Sequence, residues 1–367
     1  MPSLPSRSAS PTNPPVPPPD PRANPDLFGH EAAEAALAGA LAAGRLHHAW
    51  LITGPEGIGK ATLAFRFARH LLAARKTSGV SPGASPGASL ALDPADPVFR
   101  RVAAGAHADL TTIERGYDPK RKRMRTVITA EDVRALGGFM ALTPAEGGWR
   151  VAIVDGAEEM NAHAANALLK ILEEPPRQAI VLLVSAAPGR LLPTIRSRCR
   201  RLRLAPLGDA AMAAFLDRAA PELAAEARAR LIALADGSPG RAMLLGAEDG
   251  MAVSALVDEV LAALPDPPPL LAHRIADRLG RGEDGGGFGV FMDLLRASLA
   301  ALVRDVATGR ADPDQARLLG RFPLAAWGDA WQALTRLQDE TERFALDRRQ
   351  AIVAGLALLA NPAQASA

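Results

Sequence analysis

Hydrophobic positions follow two different rhythms along this chain. In the first half, short apolar runs (Ala49 to Ile52; Trp149 to Val154, interrupted only by Arg150; Ala179 to Val184) alternate with stretches where apolar residues recur every three or four positions. An apolar run without polar alternation predicts a strand buried on both faces, as in a parallel sheet. Helical spacing is plain in Leu63, Phe67 and Leu71 after the first run, and in Ala165, Leu168, Leu169 and Leu172 before the third. Strands alternating with helices predict an α/β fold built on a parallel sheet. From Pro206 onward the strand rhythm is gone. Asp209 to Ala235 reads as two helices, closed by Gly237-Ser238-Pro239-Gly240-Arg241, and alanine- and leucine-rich helices follow Met251, the last from about Arg343 to Leu359.

Punctuation between these segments predicts the domain organisation. Residues 1–26 are rich in Pro, Ser and Asn and predict a disordered tail. Residues 27–205 form the α/β domain, 206–248 a small helical domain, and 249–367 a larger helical one. Within the first of these, Leu27 to Arg45 predicts a helix, and the adjacent His47 and His48 should point different ways on an extended chain. Thr77 to Asp96, with its Ser-Pro-Gly-Ala repeat, predicts a flexible insertion. Asp109 to Glu114 predicts a strand, Gly116 to Pro119 a turn, and Arg125 to Ile128 the returning strand of a hairpin. Lys120-Arg121-Lys122-Arg123 lies between them, as a solvated hairpin tip or as a contact to phosphates.

Composition narrows the classes. The 367 residues are 48% hydrophobic and 22% charged, with a formal net charge of +2, so a nucleic-acid partner does not follow from overall charge. The single cysteine, Cys199, excludes an internal disulfide and a cysteine-based zinc site. No apolar run is long enough to span a membrane, and no signal-peptide pattern opens the chain, so a soluble, cytoplasmic protein without a membrane partner is expected.

The chemistry centres on Gly54-Pro55-Glu56-Gly57-Ile58-Gly59-Lys60, between the first apolar run and the first long helix. A glycine-rich turn between strand and helix lets backbone N–H groups curl around a phosphate, and Lys60 adds a point charge. A magnesium-binding hydroxyl is required after the lysine, but Ala61 stands there and Thr62 comes one place late. Asp155, at the end of the second apolar run, is placed to hold a metal ion, but Gly156 follows where a water-activating Glu is needed. Gly54, Gly57, Gly59, Lys60, Thr62 and Asp155 therefore outline a nucleotide site poorly equipped for hydrolysis. ATP or ADP, with magnesium, is a candidate ligand that such a site holds badly.

Further motifs carry a family resemblance. Leu192-Pro193-Thr194-Ile195-Arg196-Ser197-Arg198-Cys199 resembles the Ser-Arg-Cys signature of AAA+ clamp loaders; "NAHAANALLKILEEPP" and "GSPGRA" resemble that family's helix after the second motif and its second sensor. The resemblance implies an AAA+ sheet domain, a helical lid and a C-terminal helical collar. It implies that Arg198 is a catalytic finger offered in trans to ATP on a neighbouring subunit, that Ser185 is the first sensor, and that Arg241 is the second. Asn166 and Lys170 fall on a helix that faces DNA in the family, although a solvated helix face explains them equally. Implied partners are gamma/tau and delta subunits of the DNA polymerase III clamp loader, the sliding clamp and primed DNA. The departures at Ala61 and Gly156, and the absence of a four-cysteine zinc module, set the chain apart from the hydrolysing subunits. A self-contained active AAA+ ATPase or remodeller is the alternative.

Overall fold

The computed structural model describes residues 20–74, 89–118, 123–125, 127–246, 250–280 and 286–364. The Ser-Pro-Gly repeat, Lys120, Arg121 and Lys122 lie outside the described residues. The chain divides into two compact units, with the boundary between Met243 and Leu244.

Among the described residues, seven strands belong to the first unit: β1 (Ala49–Thr53), β2 (Leu110–Ile113), β3 (Tyr117–Asp118), β4 (Arg123–Met124), β5 (Arg150–Asp155), β6 (Ala179–Ser185) and β7 (Arg200–Arg203). Five of them form a parallel sheet in the order β2-β5-β6-β1-β7. The helices are α1 (Glu31–Ala42), α2 (Lys60–Ala73), α3 (Pro97–Ala103), α4 (Ala130–Ala141), α5 (Ala162–Glu173), α6 (Pro193–Arg198), α7 (Asp209–Ala219), α8 (Ala225–Ala235) and α9 (Pro239–Gly246), the last crossing the unit boundary.

Burial explains the sheet. β1 and β6 are buried at every position, and their side chains alternate between two cores. Trp50, Ile52, Ile153 and Leu182 join α1 and α2 on one face. Leu51, Val154, Val181 and Leu183 join α4, α5 and α6 on the other. Period-two alternation with both faces covered is why the strands read as nearly unbroken apolar runs.

Three expectations need correction. Asp109 to Glu114 does not turn back on Arg125 to Ile128. Leu110–Ile113 runs parallel to β5 inside the main sheet, and the hairpin is only β3 with β4, pairing Tyr117 with Met124. The rings of His47 and His48 do not diverge but stack at 4.3 Å, because β1 begins only at Ala49. Helix α1 starts at Glu31, and residues 20–26, assigned to the tail, are clamped to α2. Arg69, which is 1% exposed, donates to the carbonyls of Arg22 and Asn24 at 2.7 Å each, and Arg66 bonds to the Pro25 carbonyl and Glu34.

The second unit is helical in its described residues: α10 (Gly250–Ala262), α11 (Pro269–Leu279), α12 (Gly286–Ala307), α13 (Pro313–Leu319), α14 (Leu324–Phe344) and α15 (Arg348–Ala360). Phe288, Phe291, Leu295, Trp327, Leu334 and Ile352 are buried in it, and the Trp327 indole N–H donates to the Leu319 carbonyl at 3.1 Å. No described helix is long and apolar enough to cross a membrane.

Candidate functional site

Parallel strands bring their C-terminal ends to one edge of the sheet, and ligands bind there. The loop after β1, Asp155 at the end of β5 and Ser185 at the end of β6 share that edge, with Thr53 in register with Ser185. Gly57 has φ +74° and Gly59, which caps α2, has φ +99°, so the loop curls through conformations that side chains disfavour.

The loop is closed on itself. Lys60 is 8% exposed, and its Nζ donates to the Pro55 carbonyl at 2.7 Å. Burial lowers the pKa of its ammonium, while Glu56, Glu158 and Asp155 pull the other way. The His30 imidazole Nε2 lies 2.7 Å from the Ile58 carbonyl. From the segment opening α9, the Ser238 hydroxyl donates to the Glu56 carbonyl at 3.0 Å, and the Gly240 N–H donates to the Gly57 carbonyl at 2.9 Å. Arg241 follows directly, with its N–H donating to the Ser238 hydroxyl at 3.2 Å.

The second motif has a comparable closure. Asp155 has its pKa raised by burial and then by Glu114, with Lys60 and the Gly156 N–H opposing. Gly156 has φ +71°, and a Cβ there would stand 2.7 Å from Glu159 Oε2. Glu158 Oε1 accepts from the N–H groups of Ala186 at 2.7 Å and Ala187 at 3.1 Å, tying the end of β5 to the residues after Ser185. The Ser185 hydroxyl and Glu158 Oε2 are buried without a hydrogen-bond partner among the described residues. Glu159 pairs with Arg115 at 2.9 Å, yet burial outweighs that pair and pushes its carboxyl up to about 7.

The residues present lack two groups that a hydrolysing magnesium triphosphate site uses. Ala61 offers no hydroxyl, and Thr62, about 100° further round α2, is itself buried. Gly156 offers no acid, and the Lys60 ammonium already has an acceptor in its own loop.

Arg198 stands apart from this edge. It ends α6, which Ile195 anchors at 0% exposure, and its side chain is 37% exposed. Its Nη2 lies 2.8 Å from Glu173 Oε1 and its Nη1 donates to the Thr194 carbonyl at 3.1 Å. Cys199 is buried, which pushes its thiol up to about 11 and leaves it unreactive. Asn166 and Lys170 are exposed four residues apart on α5. Sequence reasoning missed β7, because Arg200-Arg201-Leu202-Arg203 lacks an apolar run. As an edge strand it carries the charge that discourages further pairing.

A parallel sheet in this order, with a phosphate-type loop after its β1 strand and a helical segment bonded over that loop, defines a P-loop-type α/β domain. More narrowly, residues 29–208 match the family described as DNA polymerase III, delta subunit. The chain is 40% identical over 192 residues to the DNA polymerase III subunit delta' of Pseudomonas aeruginosa, covering 52% of this chain and 53% of that one. It is 33% identical over 205 residues to the DNA polymerase III subunit delta' of Escherichia coli, covering 55% of each. It is also 28% identical over 303 residues to the DNA polymerase III subunit tau of Salmonella typhimurium, covering 78% of this chain and 44% of that one. The chain thus spans about half the length of the delta' relatives it matches.

Proposed function

We propose that this chain is a delta'-type subunit of a DNA polymerase III clamp loader, working in the cytoplasm with gamma/tau and delta subunits to load the sliding clamp on primed DNA. It does not hydrolyse ATP at its own loop. Arg198 serves as an arginine finger for ATP bound by a neighbouring subunit, where a planar, permanently charged guanidinium stabilises charge developing on the transferred phosphoryl group.

The observation that carries this reading is a contrast within one unit. The chain's own site lacks both the hydroxyl at Ala61 and the acid at Gly156, while Arg198 is presented half-exposed at the end of an anchored helix. The second helical unit is read as the collar that joins the subunits, and Asn166 and Lys170 as contacts to DNA.

Reconstitution tests it. This chain, combined with gamma/tau and delta subunits, should support clamp loading, and omitting it should abolish loading. Arg198→Ala should leave the complex assembled and slow DNA-stimulated loading by at least about tenfold, a conservative share of what an arginine finger contributes. Lys60→Ala should leave loading unchanged. Normal turnover by the Arg198→Ala complex would refute the finger. ATP hydrolysis by the purified chain alone would favour the self-contained ATPase.

A further inference from the structure

Arg198 is already engaged, by a carboxylate of its own chain. Glu173 Oε1 lies 2.8 Å from Arg198 Nη2. Three observations set this pair apart from an incidental surface contact.

The first is where Glu173 sits. It is the last residue of α5, and Glu174 caps the same end. Acids in a last turn face the negative end of the helix dipole, so Glu173 does not stabilise the helix that carries it.

The second is selectivity. Residues 190–203 hold six arginines (Arg190, Arg196, Arg198, Arg200, Arg201 and Arg203) and no acid. Among the described residues, Arg198 is the one of these with a carboxylate partner. That partner comes from a different helix, brought near because Leu168 and Leu172 of α5 share a core with Ile195 of α6.

The third is exposure. The two side chains are 37% and 49% exposed. An ion pair this wet is weak, so it sets a resting rotamer without trapping it. A phosphate group carries more charge and accepts the guanidinium bidentately, so it displaces a lone half-solvated carboxylate.

We infer that Glu173 is a parking partner for Arg198. In the free chain it holds the guanidinium against α5. On docking, phosphate oxygens of the neighbouring subunit's nucleotide take the guanidinium over, and Glu173 is released to water. The carboxylate thus competes with the nucleotide for Arg198 and makes docking more dependent on nucleotide being present. This inference rests on the reading of Arg198 as a residue acting in trans.

The test uses the full chain with its gamma/tau and delta partners, measuring association in ATPγS and in ADP. Glu173→Gln removes the charge while keeping the side chain's size. It should tighten ATPγS-dependent association about two- to fivefold, leave association in ADP unchanged, and have no effect when Arg198→Ala is also present. Glu173→Asp, which retains the charge, should restore part of the wild-type behaviour. A merely structural role would move association equally in both nucleotides and with or without Arg198. If Glu173→Gln weakens or fails to change association while Arg198→Ala still slows clamp loading, the parking role is wrong and the trans reading stands. If Arg198→Ala leaves clamp loading at the wild-type rate, the trans reading fails and this inference with it.

Discussion

Gly240 and Gly57 meet backbone to backbone. The Gly240 N–H donates to the Gly57 carbonyl at 2.9 Å, and a Cβ on Gly240 would stand 2.8 Å from the Gly57 Cα. The segment opening α9 is therefore bolted to the phosphate loop by main-chain atoms, which cannot rotate away from a clash as a side chain can.

Gly240→Ala should accordingly cost about 1–3 kcal/mol, the usual range for overpacking a close contact. Thermal unfolding of the full chain should show the first unit melting several degrees lower. Gly138→Ala, on α4 with nothing within 4 Å of the added Cβ, is the control. It should be neutral or stabilise by up to about 1 kcal/mol, because alanine favours helix.

Restoring the missing acid by substitution alone should fail. Gly156 has φ +71°, and any Cβ there approaches Glu159 Oε2 to 2.7 Å. Gly156→Glu should therefore destabilise the fold by about 1–3 kcal/mol through backbone strain. Combined with Ala61→Thr it should still give no steady-state ATP hydrolysis by the purified chain. A measured turnover comparable to that of an active AAA+ ATPase would show that the backbone at 156 is more adaptable than its conformation indicates.

Glu159 should make stability depend on pH. Its carboxyl is pushed up to about 7 by burial, above its ordinary value of 4.5. A raised folded-state pKa means the protonated form is favoured in the fold. Its contribution is fully present below about pH 4.5 and is lost as pH rises through about 7. Glu159→Gln should flatten that part of the profile and raise the unfolding midpoint at pH 8 relative to the wild-type chain. The gain should be modest, because the group is partly solvated and its pair with Arg115 at 2.9 Å is lost. Urea unfolding from pH 5 to pH 8 measures it, and a wild-type profile parallel to that of the variant would refute the assignment.

Much of the α/β unit was legible in the residues themselves. Strands β1, β5 and β6 lie at the centre of a parallel sheet, so both faces are covered and the apolar runs are nearly continuous. Edges were harder to read. β2 is a four-residue strand with two threonines, equally suited to a half-exposed hairpin, and only its pairing with β5 decides between the two. β7 is charged because it is an edge, so it carries no hydrophobic signal. The stacking of His47 on His48 depends on where β1 begins, which the local pattern leaves open by a residue or two.

What the sequence determined by itself is the inventory. A glycine loop with Lys60, an Asp at 155, no hydroxyl at 61 and no acid at 156 follow from residue types at fixed spacings, because phosphate and metal chemistry needs particular groups in a particular order. Only the tertiary structure decided how those groups are used. It turned Lys60 onto Pro55, tied Glu158 to Ala186 and Ala187, and set Glu173 beside Arg198. Glu158 is 28 residues from Ala186 and Glu173 is 25 residues from Arg198, and no local rule pairs groups so far apart. Their meeting depends on the packing of whole helices and strands against a shared sheet.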